Sequence, residues 1–107
     1  MNRGEVYWVN FDPQLGSEIQ KRRPAVVLSR QPFNRKRHTV VVVPLSRAHT
    51  LTEWPLLVAV RSTGPAVAVI DQLKAADKTR FGARIGKLAD QEMSDISDAV
   101  AFLLDLL

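Results

Sequence analysis

Glu5-Val6-Tyr7-Trp8-Val9-Asn10-Phe11 alternates its large side chains, with Tyr7, Val9 and Phe11 on one side and Val6 and Trp8 on the other. A period of two marks a strand with two distinct faces. Asp12-Pro13 ends the run, and a loop of roughly ten residues containing Gly16 leads on to Pro24. The same grammar repeats outward from here. Residues 25–29 form a short apolar strand that Pro24 can start but not continue. Residues 31–38 read as a polar, basic connection, and residues 39–45 as a β-branched strand bounded at Pro44. After Pro55, residues 56–60 make a strand, and the turn Ser62-Thr63-Gly64-Pro65 returns the chain through residues 66–70 as a hairpin. Residues 83–87 supply a last short strand. Short strands at close spacing predict a mainly β fold, a small barrel or sandwich rather than a βαβ unit.

From Asp90 the period changes. Met93, Ile96, Val100, Leu103 and Leu107 recur at spacings of three and four, the apolar stripe of a helix. Asp90 is the expected N-cap, and Glu92 lies in the first turn, where the helix dipole favours an anion. Leu104 and Leu106 broaden the stripe into a face suited to a partner subunit.

The chain has 107 residues, 46% of them hydrophobic, and no cysteine. That is enough material for one domain, residues 1–107, with a core that needs no staples. A disulfide framework, a thiolate nucleophile and a cysteine-based zinc site are excluded. No apolar run reaches spanning length and no signal-peptide pattern precedes the first strand, so the expected location is cytoplasmic.

Net charge is only +4, but it is unevenly placed. Residues 21–47 hold eight bases (Lys21, Arg22, Arg23, Arg30, Arg35, Lys36, Arg37, Arg47) and no acid. Residues 90–107 hold five acids (Asp90, Glu92, Asp95, Asp98, Asp105) and no Lys or Arg. A polyanion is attracted to the first region and repelled by the second.

His38 and His49 lack the spacing of a metal site, and P-loop, GxGxxG and GxSxG motifs are absent. The segment Gly16-Ser17-Glu18-Ile19-Gln20-Lys21-Arg22-Arg23-Pro24 puts a carboxylate and three cations on one loop that ends at a strand. Arg23 precedes proline, so its backbone is held extended and its side chain leaves from a defined point. Arginine can fork two phosphate oxygens. The competing reading of this loop is a surface ion pair between Glu18 and an arginine, worth about 0–1 kcal/mol. Ser46-Arg47 and Asp71-Gln72 follow apolar strands, where either functional groups or ordinary turn chemistry are found.

Taken in order, Arg3-Gly4-Glu5-Val6-Tyr7-Trp8-Val9-Asn10-Phe11-Asp12-Pro13, Gly16-Ser17-Glu18, Arg23-Pro24-Ala25-Val26-Val27-Leu28-Ser29, Val42-Val43-Pro44-Leu45-Ser46, Asp71-Gln72 and Ile85-Gly86-Lys87-Leu88 strongly resemble the MazF/PemK family of toxin endoribonucleases. The resemblance covers essentially the whole chain. It implies a small SH3-like, partly open antiparallel barrel with a C-terminal α-helix, forming a homodimer. It further implies metal-independent cleavage of single-stranded RNA at short motifs, with no cofactor, and inhibition by an antitoxin with an acidic C-terminal tail. The family's central arginine maps to Arg23 and its hydroxyl residue, usually threonine, to Ser46. Glu18 and Asp71 match further site positions, while Lys21, Arg22, Arg47 and Gln72 are the expected nucleic-acid contacts. Some members carry an arginine two residues before that aspartate, where this chain has Val69, so any proton donation there passes to Arg23 or a histidine such as His49. Two other readings of the same barrel are a DNA gyrase poison acting through its C-terminal helix and a non-catalytic RNA- or DNA-binding module.

Overall fold

The computed structural model describes residues 1–13, 21–47 and 53–106. In chain order it contains β1 (Glu5–Asn10), β2 (Arg22–Val27), α1 (Gln31–Lys36), β3 (Thr39–Ser46), β4 (Leu57–Val60), β5 (Ala66–Val69), β6 (Lys74–Asp77), β7 (Phe81–Lys87) and α2 (Asp90–Leu103). The strands form a mainly antiparallel sheet in the order β4-β5-β3-β2-β1-β7, with β6 joining β3 off this path. Among the described residues no pairing closes β4 onto β7, so the curved sheet stays open.

β3 is the corner of the molecule. One edge pairs with β2, Val42 opposite Val27 and Pro44 opposite Ala25. The other edge pairs first with β6, over residues 39–42, and then with β5 at Leu45 and Ser46. Pro44, which has no N–H for a ladder, falls between those two partners. A single 3-10 turn, Ile70–Gln72, fills the interval and packs against β3 and α2.

Alternation along the strands divides the core in two. Val6, Val26, Val43 and Leu45 face the helix side, where Met93, Ile96 and Ala99 of α2 are buried against them. Val9, Phe11, Ala25, Val27, Val40, Val42 and Ala76 line the opposite face, inside the curl of the sheet. The two faces of the first strand are as its period of two predicts. Ile96 is fully buried, and a side chain of that size stabilises by about 2 kcal/mol.

Several details differ from the sequence reading. Residues 31–38 are not only a connection, because α1 occupies most of them. That short helix is held by a polar knot: Asn34, itself buried, donates through Nδ2 to the carbonyls of Met1 (3.0 Å) and Ser29 (2.8 Å). The Ser29 hydroxyl donates back to Asn34 Oδ1 and accepts the Val41 N–H. Pro24 lies within β2 rather than at its start, opposite Trp8 of β1, while the ladder to β3 spans only residues 25–27. β7 begins at Phe81, two residues before the expected start. The N-cap of α2 is Ala89 and not Asp90, because Glu92 Oε1 already accepts the Ala89 N–H at 2.9 Å. Leu107 lies outside the described residues. No helix among those described is long and apolar enough to cross a membrane.

Candidate functional site

The site residues follow from strand parity and register. Successive side chains of a strand point to opposite faces, so residues 23, 25 and 27 of β2 share one face, as do residues 42, 44 and 46 of β3. The β2–β3 register pairs Ala25 with Pro44, and continued two residues further it aligns Arg23 with Ser46. On the other side of β2, Arg23 pairs with Val9 of β1. Arg23 and Ser46 therefore stand at the same end and on the same face of neighbouring strands. Arg23 is half-buried, and Ser46 is only 2% exposed, so both are held by rigid surroundings rather than on a mobile tip.

Lys74 extends this face. It pairs with Val42, and its ammonium lies 6.0 Å from the ring centroid of Phe11, a cation–π contact over a buried aromatic. The sequence reading missed Lys74, although its place three residues after Asp71 is visible in the chain. Asp71 and Gln72 lie on the 3-10 turn along the opposite edge of β3, Asp71 exposed and Gln72 half-buried. The turn is anchored by the Ile70 N–H donating to the Leu56 carbonyl at 2.8 Å. Asp71 is thus separated from Arg23 by the width of β3.

Lys21 adopts φ +67 and is tied to the end of β1: its N–H donates to Asp12 Oδ1 at 2.7 Å, and its carbonyl accepts the Phe11 N–H at 2.8 Å. These bonds hold the chain just before β2 against the chain just after β1, which places Lys21 at the rim of the Arg23 face. Arg22 points to the other face, where its guanidinium lies over the Trp8 ring at 5.2 Å. Arg47 is exposed, with its Nη2 only 3.1 Å from where a Cβ on Gly64 would sit. Gly64 has φ +101, so both backbone and space favour glycine there. Glu18 and His49 lie outside the described residues.

Three carboxylates elsewhere in the fold are held below their ordinary value. Glu5 is lowered chiefly by the Asn2 N–H, helped by Arg84 and Tyr7. Asp77 is lowered by the N–H and hydroxyl of Thr79. Burial pushes Glu92 up, but hydrogen bonds from Ser62, Arg61 and Ala89 outweigh it and leave it lowered. Among the described residues no group of three His, Cys, Asp or Glu could hold a metal ion. Two surface clefts, of about 220 and 400 Å³, run along α2 beside Arg3 and Ser97, away from Arg23. The cations gathered at this end of the sheet, Lys21, Arg23 and Lys74, suit a polyanion.

The chain is similar to known proteins in both sequence and fold. The family described as PemK-like, MazF-like toxin of type II toxin-antitoxin system matches residues 2–104. Endoribonuclease MazF9 of Mycobacterium tuberculosis is 31% identical, covering 99% of this chain and 98% of its own. Among solved structures, MazF from Deinococcus radiodurans superposes with a TM-score of 0.87 at 24% identity, covering 98% of this chain and 96% of that one. An endoribonuclease in complex with its cognate antitoxin from a mycobacterial species superposes with a TM-score of 0.84 at 24% identity, covering 100% of this chain and 97% of that one.

Proposed function

This chain belongs to the PemK-like, MazF-like toxin family of type II toxin–antitoxin systems, and from that premise we propose how its residues act on RNA. As a toxin of this family it is an endoribonuclease. The reaction is metal-independent cleavage of single-stranded RNA. The ribose 2′-oxygen attacks the adjacent phosphorus, the bond from phosphorus to O5′ breaks, and the products carry a 2′,3′-cyclic phosphate and a 5′-hydroxyl. The 2′ proton must leave to a base and O5′ must gain a proton. Charge builds up on the phosphorane between those events, and preorganised donors there contribute most to the rate.

The observation that carries the assignment is the alignment of Arg23 with Ser46 on one face of β2 and β3. Arg23 stabilises the phosphorane through its planar fork of donors. The Ser46 hydroxyl donates to a non-bridging oxygen, and serine lacks the methyl that restricts threonine at χ1. Glu18 orients Arg23 or accepts the 2′ proton, and Asp71, across β3 from Arg23, is the alternative acceptor of that proton. A guanidinium with a pKa above about 12 is a weak acid, so O5′ is protonated by Arg23 only with strong help from its surroundings. Lys21, Arg47 and Gln72 hold flanking nucleotides, with Arg22 at the adjoining edge.

The same reading gives the chain a cognate antitoxin, whose acidic C-terminal tail is drawn to residues 21–47 by the charge that draws RNA. It also gives a homodimer built in part on the exposed Leu104 and Leu106, and a cytoplasmic location. The test is incubation with a long RNA in EDTA, followed by chemical mapping of the new ends. Cyclic-phosphate and 5′-hydroxyl ends are expected. Intact RNA, or ends bearing 3′-hydroxyls, would refute the mechanism.

A further inference from the structure

Arg22 and Arg23 are adjacent in sequence but face opposite sides of the sheet, because side chains alternate along β2. Only Arg23 lies on the face that carries Ser46. Arg22 lies instead with Trp8, its guanidinium carbon 5.2 Å from the indole centroid. Trp8 is 36% exposed despite its position on a central strand, so part of a large aromatic surface remains open to water. The third component is Gly82 of β7. A Cβ on Gly82 would stand 3.0 Å from Arg22 Nη2 and 3.4 Å from the Trp8 Cβ. Even a methyl group there would make the guanidinium give by a few tenths of an ångström. Asn10, opposite Arg22 in the register and on the Trp8 side of β1, is fixed by accepting the Asp12 N–H at 3.0 Å.

We propose that Trp8, Arg22 and Gly82 form a stacking platform on which one unpaired base of the RNA strand lies. The proposal deepens the endoribonuclease reading and rests on it. A nucleotide extends its phosphate and its base in different directions, and residues 22 and 23 do the same at the end of β2. With the phosphate at Arg23, a strand that continues past the start of β2 brings a neighbouring base to the Arg22–Trp8 plane. Unpaired bases are commonly held by stacking on aromatic rings and on arginine planes. This gives Arg22 a role different from a phosphate clamp. A clamp needs charge, which lysine supplies, whereas a stacking plane needs the guanidinium itself.

The test uses the full chain in a Trp54→Phe background, where Trp8 is the remaining indole. Trp8 emission is followed while a mixed-sequence, uncleavable 2′-O-methyl RNA oligomer is added at several salt concentrations. Quenching of Trp8 on binding is expected. Arg22→Lys should weaken binding by about tenfold while leaving the salt slope unchanged, since the charge count is the same. Gly82→Ala should weaken binding by a smaller factor than Arg22→Lys, and circular dichroism of each variant checks that it is folded. Binding by Arg22→Lys equal to that of the parent would overturn the platform and leave Arg22 a simple cation. So would Trp8 emission in RNA-free protein that shifts to the blue as protein concentration rises, which means a second copy covers this surface. If the parent cleaves natural RNA but Trp8 is not quenched, the platform falls while the endoribonuclease reading stands. If the parent neither binds nor cleaves RNA, both fall together.

Discussion

Glu92 braces the start of α2 against the turn that joins β4 to β5, and its replacement tests how the barrel is held together. Its carboxylate accepts the N–H groups of Arg61, Ser62 and Ala89 and the Ser62 hydroxyl. Three of those four donors come from Arg61 and Ser62, about thirty residues away in sequence, so the carboxylate links the hairpin to the helix. Partly solvated hydrogen bonds of this kind contribute about 0.5–1 kcal/mol each. An anion in the first turn of a helix adds about 0.5 kcal/mol. Glu92→Ala should therefore cost about 3 kcal/mol and lower Tm by about 12–20 °C at fixed protein concentration. Glu92→Gln keeps one acceptor oxygen and should cost about 1–1.5 kcal/mol.

Circular dichroism melts and urea titrations measure both variants. The pH dependence is a second arm. The pKa of Glu92 is lowered in the fold, so its contribution is fully present above about pH 4.5 and is lost as pH falls through the folded value. Glu92→Gln should flatten that acid-side decline in part, leaving the contributions of Glu5 and Asp77, whose pKa values are also lowered. Ser62→Ala removes a hydroxyl that donates to Glu92 and accepts from the Ala89 N–H at 3.1 Å. In a double-mutant cycle it should couple to Glu92 by about 1 kcal/mol. A Glu92→Ala protein within 1 kcal/mol of the parent, or zero coupling to Ser62, would refute the bracing argument.

Arg23→Ala should lower RNA cleavage by about 10²–10³-fold, the usual cost of one oxyanion donor, with Tm little changed; single-turnover kinetics beside a thermal melt check this. Ser46→Ala should reduce the same rate by a smaller factor, and Ser46→Thr should restore it, read in the same assay. Lys21→Ala and Arg47→Ala should each make log affinity for single-stranded RNA less steep against log salt by about 0.7, measured by filter binding across a salt series. Sedimentation velocity at micromolar concentration should show a dimer, and Leu104→Glu with Leu106→Glu should shift it to monomer.

The alternating run from Glu5 to Phe11, the hairpin around Gly64 and the apolar stripe of α2 were legible because each is a local pattern whose period matches its element. The family was legible for a related reason: Arg23 before proline, Ser46 after a β-branched strand and Asp71-Gln72 keep their order however the chain bends. Local pattern could not reveal β6. Its residues Lys74-Ala75-Ala76-Asp77 have little strand character, and only pairing with β3 makes them one. α1 was hidden likewise, since six residues do not hold a helix alone and Asn34 secures it through Met1, Ser29 and the start of β3.

What the sequence determined by itself was therefore the fold class, the family, and which residue types are available for chemistry. Eight cations without an acid in residues 21–47 define an attraction for polyanions before any coordinates are known. The tertiary structure decided which faces the cations take. Strand pairing sets Arg23 opposite Val9, parity turns Arg22 away to Trp8, and pairing with β3 brings Lys74, outside that run, over Phe11. The physical reason is that a one-residue step along a strand reverses the face of a side chain, and only the neighbouring strands say which face is which.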